Sequence, residues 1–472
     1  MSIDPDLKAS IAATRFGLGA RPDEIAATRP DPVGYLKAQI RPEGADQPQG
    51  QFESSPEALG DLRQLQMQRR DAKMAGDGNA DPVKQAQKII RQGAGQEFLA
   101  RAALASQTDA AFRERWALFW FNHFTVGQKN LQTVVLVGPF EREAIRPHVF
   151  GRFEDLLVAS SSHPAMLVYL DQAQSIGPNS PFASLSRTGL VPALKGLGGL
   201  NENLAREIME LHTLGVGSGY TQADVTEFAR ALTGWSIEGY QEHRFGQAGM
   251  GAAPGQFTFR QGAHEPGVRH ILGKAYPQDG IDQGHAVLTD LAANPATAHH
   301  IAVKVARHFV ADDPPPALVA RLESNFNATG GRLDKLAETL IDSPESWTPQ
   351  QRKFKTPYEF LVSSYRAANV TPGLEIAPVM TGLGQKPFSA PSPKGWAEDA
   401  QSWASPDGIV KRMDWAEGFS ARVVAADAKP MQIAQNTLGA RLTPATATAI
   451  GRAESRPEAF SILLMSPEFQ RR

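Results

Sequence analysis

The chain has 472 residues, with 48 Lys and Arg against 50 Asp and Glu and a formal net charge of −2. This near balance, without a strongly basic run, argues against a nucleic-acid-binding surface built on bulk charge. Cysteine is absent from the sequence, which excludes disulfides, thiolate nucleophiles and zinc–thiolate sites. Any metal site must therefore use His, Asp, Glu, Asn or water.

The N-terminal residues and the hydropathy of the chain constrain its cellular location, and the lack of repeats constrains the number of domains. No stretch approaches the ~20 apolar residues of a membrane span. Residues 1–8 lack a basic region followed by an apolar one, so no secretory signal is predicted. We expect a cytoplasmic protein, or an exported one if the N-terminus is incomplete. No repeat or composition step divides the chain, so residues 1–472 are predicted to form a single domain.

Helical periodicity dominates in chain order. Predicted helices lie at residues 4–14, from 22 onward, and at 84–105, 110–124, 142–158, 164–170, 201–215, 222–233 and from about 283 to the end, with Pro-rich breaks near 314 and 387–403. Segment 41–85 is polar and predicted to be a loop or linker, and 175–199 a long loop. Alternation over Gln256–Arg260 predicts a small β-hairpin near 236–262. The predicted fold is all-α, an irregular array of many short helices with this hairpin insertion.

Glu207 is the first candidate site residue. At about 100° per residue, it falls on the same helix face as Leu200, Leu204, Leu211 and Leu214. A carboxylate on an apolar face is costly unless it is paired. One interpretation is a general acid or base, or a metal ligand with Glu210 one turn away; the other is a buried ion pair that holds helices in register.

Two histidines are candidates for catalysis with Glu207. His123 follows Phe112, Trp116 and Phe119 on one helix face and is predicted to point into an aromatic core, as a proton shuttle or as a structural histidine bonded to a carbonyl. His212 lies at the other edge of the Glu207 helix. It can share a site with Glu207 only if another segment supplies further groups.

Three further residues are candidate ligands for a divalent metal. His163 precedes Pro164 at a predicted helix entrance, and Asp171 ends the same segment; both either converge with Glu207 or serve capping and turns. His264 follows the predicted hairpin in a loop, where ligands are common.

No HExxH, GxSxG or SxxK motif is present. The Gly-rich turn at 195–199 lacks the features of a nucleotide-binding loop and is a weak anion-site candidate.

Several segments together resemble a known family. They include Phe119–Phe124, Asn201–Gly215, Lys355–Phe360 and the pair Gly382–Gln385 and Lys394–Trp396, together with 163–171 and 220–235. These motifs are similar to those of the bacterial domain-of-unknown-function 1800 family, in order and over nearly the whole chain. The resemblance implies a mostly helical fold without an assigned reaction. It also implies that many members are exported and that a sulfatase-like protein is a partner.

Two functional hypotheses from different classes follow. The first is an enzyme with a buried Glu/His site around Glu207, assisted by His123, His212 or His264, for hydrolytic or transfer chemistry with a divalent metal as a candidate cofactor. Its substrate is a small molecule or a polymer. The second is a non-catalytic scaffold or accessory protein that acts with a hydrolase-like partner. Trp396 and Trp403 either line a substrate groove or clamp the C-terminal helices.

Overall fold

The computed structural model describes residues 3–74, 81–188, 199–240 and 252–472. Its secondary structure is mostly helical, which confirms the predicted fold class. The α-helices in these ranges are α1 Pro5–Ile11, α2 Glu24–Thr28, α3 Pro32–Lys37, α4 Ser55–Met74, α5 Asp81–Gln107, α6 Ala111–His123, α7 Leu131–Phe140, α8 Phe153–Ser162, α9 Pro164–Tyr169, α10 Pro181–Thr188, α11 Asn203–Glu207, α12 Gln222–Ala231, α13 Ile281–Ala292, α14 Pro295–Phe309, α15 Pro316–Thr329, α16 Leu333–Asp342, α17 Pro357–Ala368, α18 Ile376–Gly382, α19 Ala400–Trp403, α20 Pro406–Val423, α21 Pro430–Leu438, α22 Pro444–Arg452, α23 Arg456–Met465 and α24 Pro467–Gln470.

Shorter helical turns of other types join some of these helices. Three are π-helical, at Ala12–Phe16, Glu141–Ile145 and Ile208–His212, and the 3₁₀ turns are Arg146–His148, Gln172–Gln174, Gln261–Ala263, Pro344–Trp347 and Gly439–Arg441. Within the described ranges, no helix is both long enough and apolar enough to cross a membrane.

The predicted hairpin is present, and a second one follows it. Strand β1 (Trp235–Ile237) pairs antiparallel with β2 (Phe257–Phe259), and residues 241–251 between them lie outside the described residues. Strands β3 (Arg269–Ile271) and β4 (Lys274–Tyr276) form the second hairpin. Its two turn residues, Leu272 and Gly273, both have positive φ, 51° and 77°, as a type I′ turn requires. The leucine concealed this signal in the sequence.

Two predicted loops contain helices. Within segment 41–85, α4 covers Ser55–Met74; it packs against α7 and buries Ala58 and Leu62. This stretch is rich in Ala, Leu, Gln, Arg and Met, which are strong helix formers, so the prediction of loop there was wrong. In segment 175–199, α10 covers Pro181–Thr188. The Gly-rich turn predicted at 195–199 lies outside the described residues except for its last glycine.

An aromatic helix lies in the middle of the hydrophobic core. The core runs from Ile11 to Phe469 along the chain. On α6, the indole of Trp116 stacks on Phe150 at 6.2 Å between ring centroids and lies 5.9 Å from Phe309 of α14. Helix α6 therefore packs beside α14, and this contact brings polar residues of the two helices together.

Helix ends set the register of the elements around the site. Asn294 caps α14 by accepting from the backbone N–H of Ala296, with Pro295 in the first turn, as favoured at helix starts. Thr356 and Glu359 form a capping box at the start of α17, which fixes the Glu359 carboxylate at that helix entrance.

Candidate functional site

A cavity of about 90 Å³ lies where α6, α14 and α17 meet the irregular segment 385–398. Its walls combine apolar side chains with charged ones. The residues lining it include Phe98, Phe121, Met380, Phe388 and Trp396 among the apolar side chains, and Arg101, Arg115, Asn122, His308, Tyr358, Glu359, Glu398 and Arg472 among the polar ones. Apolar walls with a few convergent polar groups are typical of small-molecule sites.

His308 and Glu398 form a buried imidazole–carboxylate pair in this cavity. His308 Nδ1 makes a short hydrogen bond to Glu398 Oε1, and His308 Nε2 has no partner among the described residues. Burial lowers the pKa of His308 more than Glu398 raises it. Burial by itself raises the pKa of Glu398, but His308 and Lys353 outweigh it and hold that pKa at about 2. At neutral pH the pair is a carboxylate beside a neutral imidazole whose Nε2 is an acceptor.

Asn122 positions the segment that carries Glu398. Its Oδ1 accepts from the backbone N–H of Trp396 at 2.8 Å, and its Nδ2 donates to the Trp396 carbonyl at 3.1 Å. Gly395 makes this close approach feasible: its φ is +85°, and an added Cβ would lie 2.4 Å from the Asn122 carbonyl oxygen. The Lys353 ammonium also donates to the Glu398 carbonyl oxygen. Asn122 and Lys353 therefore both hold the segment that carries Glu398 in place.

A second charged group forms the floor of the cavity. Glu359 pairs with Arg115 of α6 and with the Nε atom of Arg472 at 2.9 Å. Burial by itself raises the pKa of Glu359, but Arg472 and Arg115 hold it well below its usual range. Arg472 also donates to the His308 carbonyl at 2.6 Å, which connects this triad to the imidazole–carboxylate pair.

Other buried polar atoms on the cavity wall also lack partners. The Tyr358 hydroxyl and the Arg101 Nε atom have no hydrogen-bond partner among the described residues, and both side chains line the cavity. Burial raises the pKa of Tyr358, so its phenol is protonated at neutral pH and can donate. A buried donor without a partner costs about 1–3 kcal/mol; a polar ligand would satisfy it.

A separate histidine group lies on the other side of α6. His123 is buried with Phe119, Trp120 and Phe124 around it, which agrees with the predicted aromatic surroundings. Its Nε2 atom bonds to the His212 carbonyl at 3.1 Å. The rings of His212 and His300 lie 6.0 and 6.3 Å away between centroids.

His212 is the most buried member of that group. Its side chain is fully buried, and neither ring nitrogen has a hydrogen-bond partner in the described part of the chain. Burial, with Lys304 and His300 nearby, lowers its pKa to about 3. Burial lowers the pKa of Lys304 to about 8, against the opposing effect of Glu398. Lys304 therefore influences both His212 and the His308–Glu398 pair.

Glu207 lies next to a buried face that matches the predicted one only in part. The buried residues here are Leu204, Ala205, Ile208, Met209 and His212, whereas Leu200 and Leu211 are only partly buried. The α-helix ends at Glu207 and continues as a π-helical turn, so a constant 100° step does not hold beyond it. The predicted apolar face is therefore confirmed for Leu204 and Leu214, which are buried, and not for the other two leucines.

The Glu207 carboxylate is half-buried. Burial and Glu210 raise its pKa, against a smaller lowering by Arg206. No hydrogen bond or ion pair joins this carboxylate to His123, His212 or any other described residue. The structure thus brings His123 and His212 together, without a hydrogen bond or ion pair from either described ring to Glu207.

The five predicted metal ligands lie in different surroundings. Glu210 is 3.6 Å from Arg206; His163 bonds through Nε2 to Glu143 and Ser55; Asp171 pairs with Lys129 at the surface. His264 is buried, not in an open loop, and its Nδ1 lies 2.9 Å from the Thr233 carbonyl. Among the described residues, no three His, Asp or Glu side chains are grouped so as to hold a metal ion.

The comparison with family models identifies the chain's relatives. The model described as "Protein of unknown function (DUF1800)" matches residues 11–471. The chain belongs to this family. No curated protein matches it significantly, and no solved structure does. The DUF1800 match confirms the resemblance drawn from the motifs.

Three motifs that carry the DUF1800 resemblance converge on the cavity. Phe119–Phe124 supplies Phe121 and Asn122, Lys355–Phe360 supplies Tyr358 and Glu359, and the last pair of segments supplies Gln385 and Trp396. Trp396 thus lines this cavity, and its ring lies 5.9 Å from Trp403.

Sequence reasoning missed the central residues, although one signal was present. His300, Lys304 and His308 recur every four residues along α14, and this spacing places them on one helix face. His308 and Glu398 are ninety positions apart, and Arg115, Glu359 and Arg472 are as widely scattered. No local pattern joins these residues.

Proposed function

We propose that this DUF1800 protein is an enzyme of hydrolytic or transfer type, in which His308 is the general base and Glu398 orients it. The observation that carries the proposal is the unpartnered Nε2 atom of a buried imidazole whose Nδ1 is held by a carboxylate. A base held by a third group is the arrangement that such catalysis requires.

The chemistry follows from the protonation states. His308 Nε2 accepts a proton from an attacking water or hydroxyl as that oxygen bonds to the electrophilic carbon or phosphorus. The Glu398 carboxylate stabilises the resulting imidazolium, which then returns the proton to the leaving group. Tyr358, protonated because burial raises its pKa, donates a hydrogen bond to the oxygen where negative charge develops.

The attacking group comes from outside the protein. Of the hydroxyls on the cavity wall, Thr125 donates to the Asn122 carbonyl at 2.7 Å, and Thr356 is held in the capping box of α17. A water molecule gives hydrolysis, and a second substrate's hydroxyl gives transfer.

The test uses a panel of small esters, amides, phosphate esters and glycosides with wild-type protein and His308→Gln. We expect turnover of at least one class, reduced by roughly 10²–10⁴-fold in the variant, at unchanged melting temperature. His299 is the matched control: it lies on the same helix and pairs with Glu323 at 2.8 Å, but it is exposed and outside the cavity. Equal loss in His299→Gln, or no loss in His308→Gln, contradicts the proposal.

A second site for the same class of chemistry is the one centred on Glu207 with His123 and His212. The observation that favours it is the raised pKa of the half-buried Glu207 carboxylate, which suits a general acid. The separation of Glu207 from both histidines counts against it. Glu207→Gln in the same assay distinguishes the two centres.

The scaffold hypothesis, with a hydrolase-like partner, is the alternative from another class. The buried triad Arg115–Glu359–Arg472 favours it, because such a group can serve to hold distant segments in one arrangement. If His308→Gln and Glu398→Gln alter neither turnover nor ligand binding, the polar residues of the cavity are structural.

A further inference from the structure

The cavity holds more positive than negative charge. Arg101, Arg115, Lys386 and Arg472 line it together with Glu359 and Glu398. Arg115 and Arg472 share the carboxylate of Glu359, and the Glu398 carboxylate also acts on Arg115. The excess of positive charge along the lining therefore comes from Arg101 and Lys386.

A further guanidinium group lies beside the triad. Arg15 lies close enough to Arg472 for their charges to repel, and burial together with this repulsion lowers the pKa of Arg15 to about 10. Burial, followed by repulsion from Arg472, also lowers the pKa of Arg115 to about 10. Arg15, Arg115 and Arg472 therefore lie close enough to one another for their charges to interact.

The guanidinium group of Arg101 packs against aromatic side chains that line the cavity. Its Cζ atom lies 4.9 Å from the ring centroid of Phe121, 5.0 Å from Tyr358 and 5.4 Å from Phe388. Its Nη1 atom pairs with Glu141 at 3.2 Å. Arg146 binds the same carboxylate through two nitrogens, at 2.9 and 2.6 Å, and also binds Glu114 at 2.8 Å, so Arg101 and Arg146 share two carboxylates. The Nε atom has no partner among the described residues.

We propose that the cavity binds a small monoanionic amphiphile, whose acidic group lies against Arg101 and the Arg115–Arg472 side and whose hydrocarbon part packs on Phe98, Phe121 and Phe388. A guanidinium group binds carboxylate and other oxyanions through directed donors. The proposal deepens the proposed function and rests on it for the role of this ligand, which is the substrate or its acidic part.

The volume limits the size of the ligand. An apolar cavity of about 150 Å³ is sufficient for benzene, and this one has about 90 Å³. By this ratio the cavity encloses about four non-hydrogen atoms, so the acidic group and the first carbons of a four-carbon chain fill it and the end of the chain reaches the opening. A larger substrate extends outward past Lys386 and Ala397, which line the cavity and are exposed.

Butyrate is the probe, and isothermal titration calorimetry is the measurement. Butyramide has nearly the same shape without the charge, and n-butylammonium carries the opposite charge. We expect wild-type protein to bind butyrate at least 10-fold more tightly than butyramide and to show no binding of n-butylammonium. Propanesulfonate and propyl phosphate, run in parallel, show which acidic group is preferred. Equal affinity for butyrate and butyramide overturns the proposal.

Two variants localise the acidic group. Arg101→Gln should weaken butyrate binding roughly 10- to 100-fold, as expected for one charge-assisted hydrogen bond, and leave butyramide affinity unchanged. Arg91→Gln is the control, because Arg91 is exposed on the same helix and does not line the cavity. If Arg101→Gln fails to fold, Arg101→Lys replaces it, with an expected smaller loss. Unchanged butyrate affinity in the folded variant overturns the assignment of Arg101.

Failure of this proposal is distinguishable from failure of the proposed function. His308→Gln retains every guanidinium group of the cavity, so it should still bind butyrate within about 3-fold of wild type while turnover is lost. If the protein prefers butyrate to butyramide but His308→Gln does not change turnover, the cavity is an anion-binding site and not a catalytic one. If turnover depends on His308 but the protein does not prefer butyrate to butyramide, the protein is an enzyme for an uncharged substrate.

Discussion

His308 on α14 and Glu398 in the irregular segment before α19 are bonded through Nδ1 and Oε1. They are ninety residues apart in sequence and line one cavity with Asn122, Tyr358 and Glu359. This relationship fixes the imidazole tautomer, because a carboxylate can only accept. It leaves Nε2 without a proton and without a partner among the described residues, which makes the pair the first target for mutation.

Glu398→Gln should lower the pKa of His308 further, because the carboxylate raises that pKa against the larger effect of burial. The amide oxygen can still accept from Nδ1, so the ring keeps its place while the charge is lost. We expect turnover to fall roughly 10²–10⁴-fold. Titration of the imidazole Cε1–H signal by NMR measures the pKa. In Glu323→Gln, which changes the partner of exposed His299, turnover should be unaffected. A raised or unchanged pKa of His308 in Glu398→Gln would contradict the assignment.

Glu359→Gln should strongly destabilise the protein, because it leaves Arg115 and Arg472 buried without their shared carboxylate. The expected loss in the free energy of unfolding is about 3–5 kcal/mol, as measured for broken buried pairs. Urea unfolding at pH 7 gives the value. Glu338→Gln removes the exposed pair with Lys335 and should change stability by less than about 1 kcal/mol. Comparable losses in both variants would show that burial of the triad is not decisive.

His212→Leu should flatten the dependence of stability on acid pH. The folded side chain has a pKa of about 3, whereas the unfolded one titrates near ~6.5. Between these values the unfolded state binds more protons, so stability falls as the pH drops, by up to about 1.4 kcal/mol per pH unit from this residue. Urea unfolding at pH 7, 6, 5 and 4 measures the slope. His299→Leu, at an exposed position, should leave the slope unchanged; an unaltered slope in His212→Leu would refute the expectation.

Glu207→Gln tests the centre predicted from the sequence. Burial and Glu210 raise the pKa of Glu207, so its folded form holds a proton more tightly than its unfolded form, and the charge is unfavourable at pH 7. We therefore expect stability to stay the same or to rise by less than about 1 kcal/mol, measured by thermal unfolding. Turnover should be unchanged if His308 is the base. Loss of turnover in a fully folded Glu207→Gln would move the catalytic centre to Glu207. Glu210→Gln, which removes the ion pair with Arg206, is the neighbouring control.

Gly395→Ala should disturb the position of Glu398. The added Cβ would lie 2.4 Å from the Asn122 carbonyl oxygen at a φ of +85°, where non-glycine residues are strained. We expect a loss of about 1–3 kcal/mol in the free energy of unfolding together with reduced turnover. Gly418→Ala in α20 meets nothing within 4 Å and should stabilise the protein by up to about 1 kcal/mol. Wild-type turnover in Gly395→Ala would show that this loop does not position the carboxylate.

Local patterns in the sequence were sufficient for the helical class and for much of the helical content. Periodicity placed α6, α9 and α12 close to their observed bounds, and alternation over Gln256–Arg260 placed the first hairpin. Helical periodicity also predicted the aromatic surroundings of His123. These features depend on neighbours three or four residues away, or two in a strand, and such neighbours are visible in a single sequence.

The same patterns failed where the helix type changed or where the buried face depended on a distant element. The face predicted around Glu207 was right for Leu204 and Leu214 but not for Leu211, which lies in the π-helical turn that begins directly after Glu207. Helix α4 was missed because its apolar side chains are few, and only its contact with α7 shows which of them are buried.

The composition of the cavity was decided by tertiary structure alone. Five separate stretches of the chain supply its central polar residues, namely Arg115 and Asn122 on α6, His308 on α14, Glu359 on α17, Glu398 and Arg472. The packing of α6 on α14 and α17 brings them together. From the sequence by itself, the protein was determined to be a helical, cysteine-free chain with buried polar residues. Which of those residues meet was determined only by long-range packing, since charge pairing between distant segments has no periodic signature in sequence.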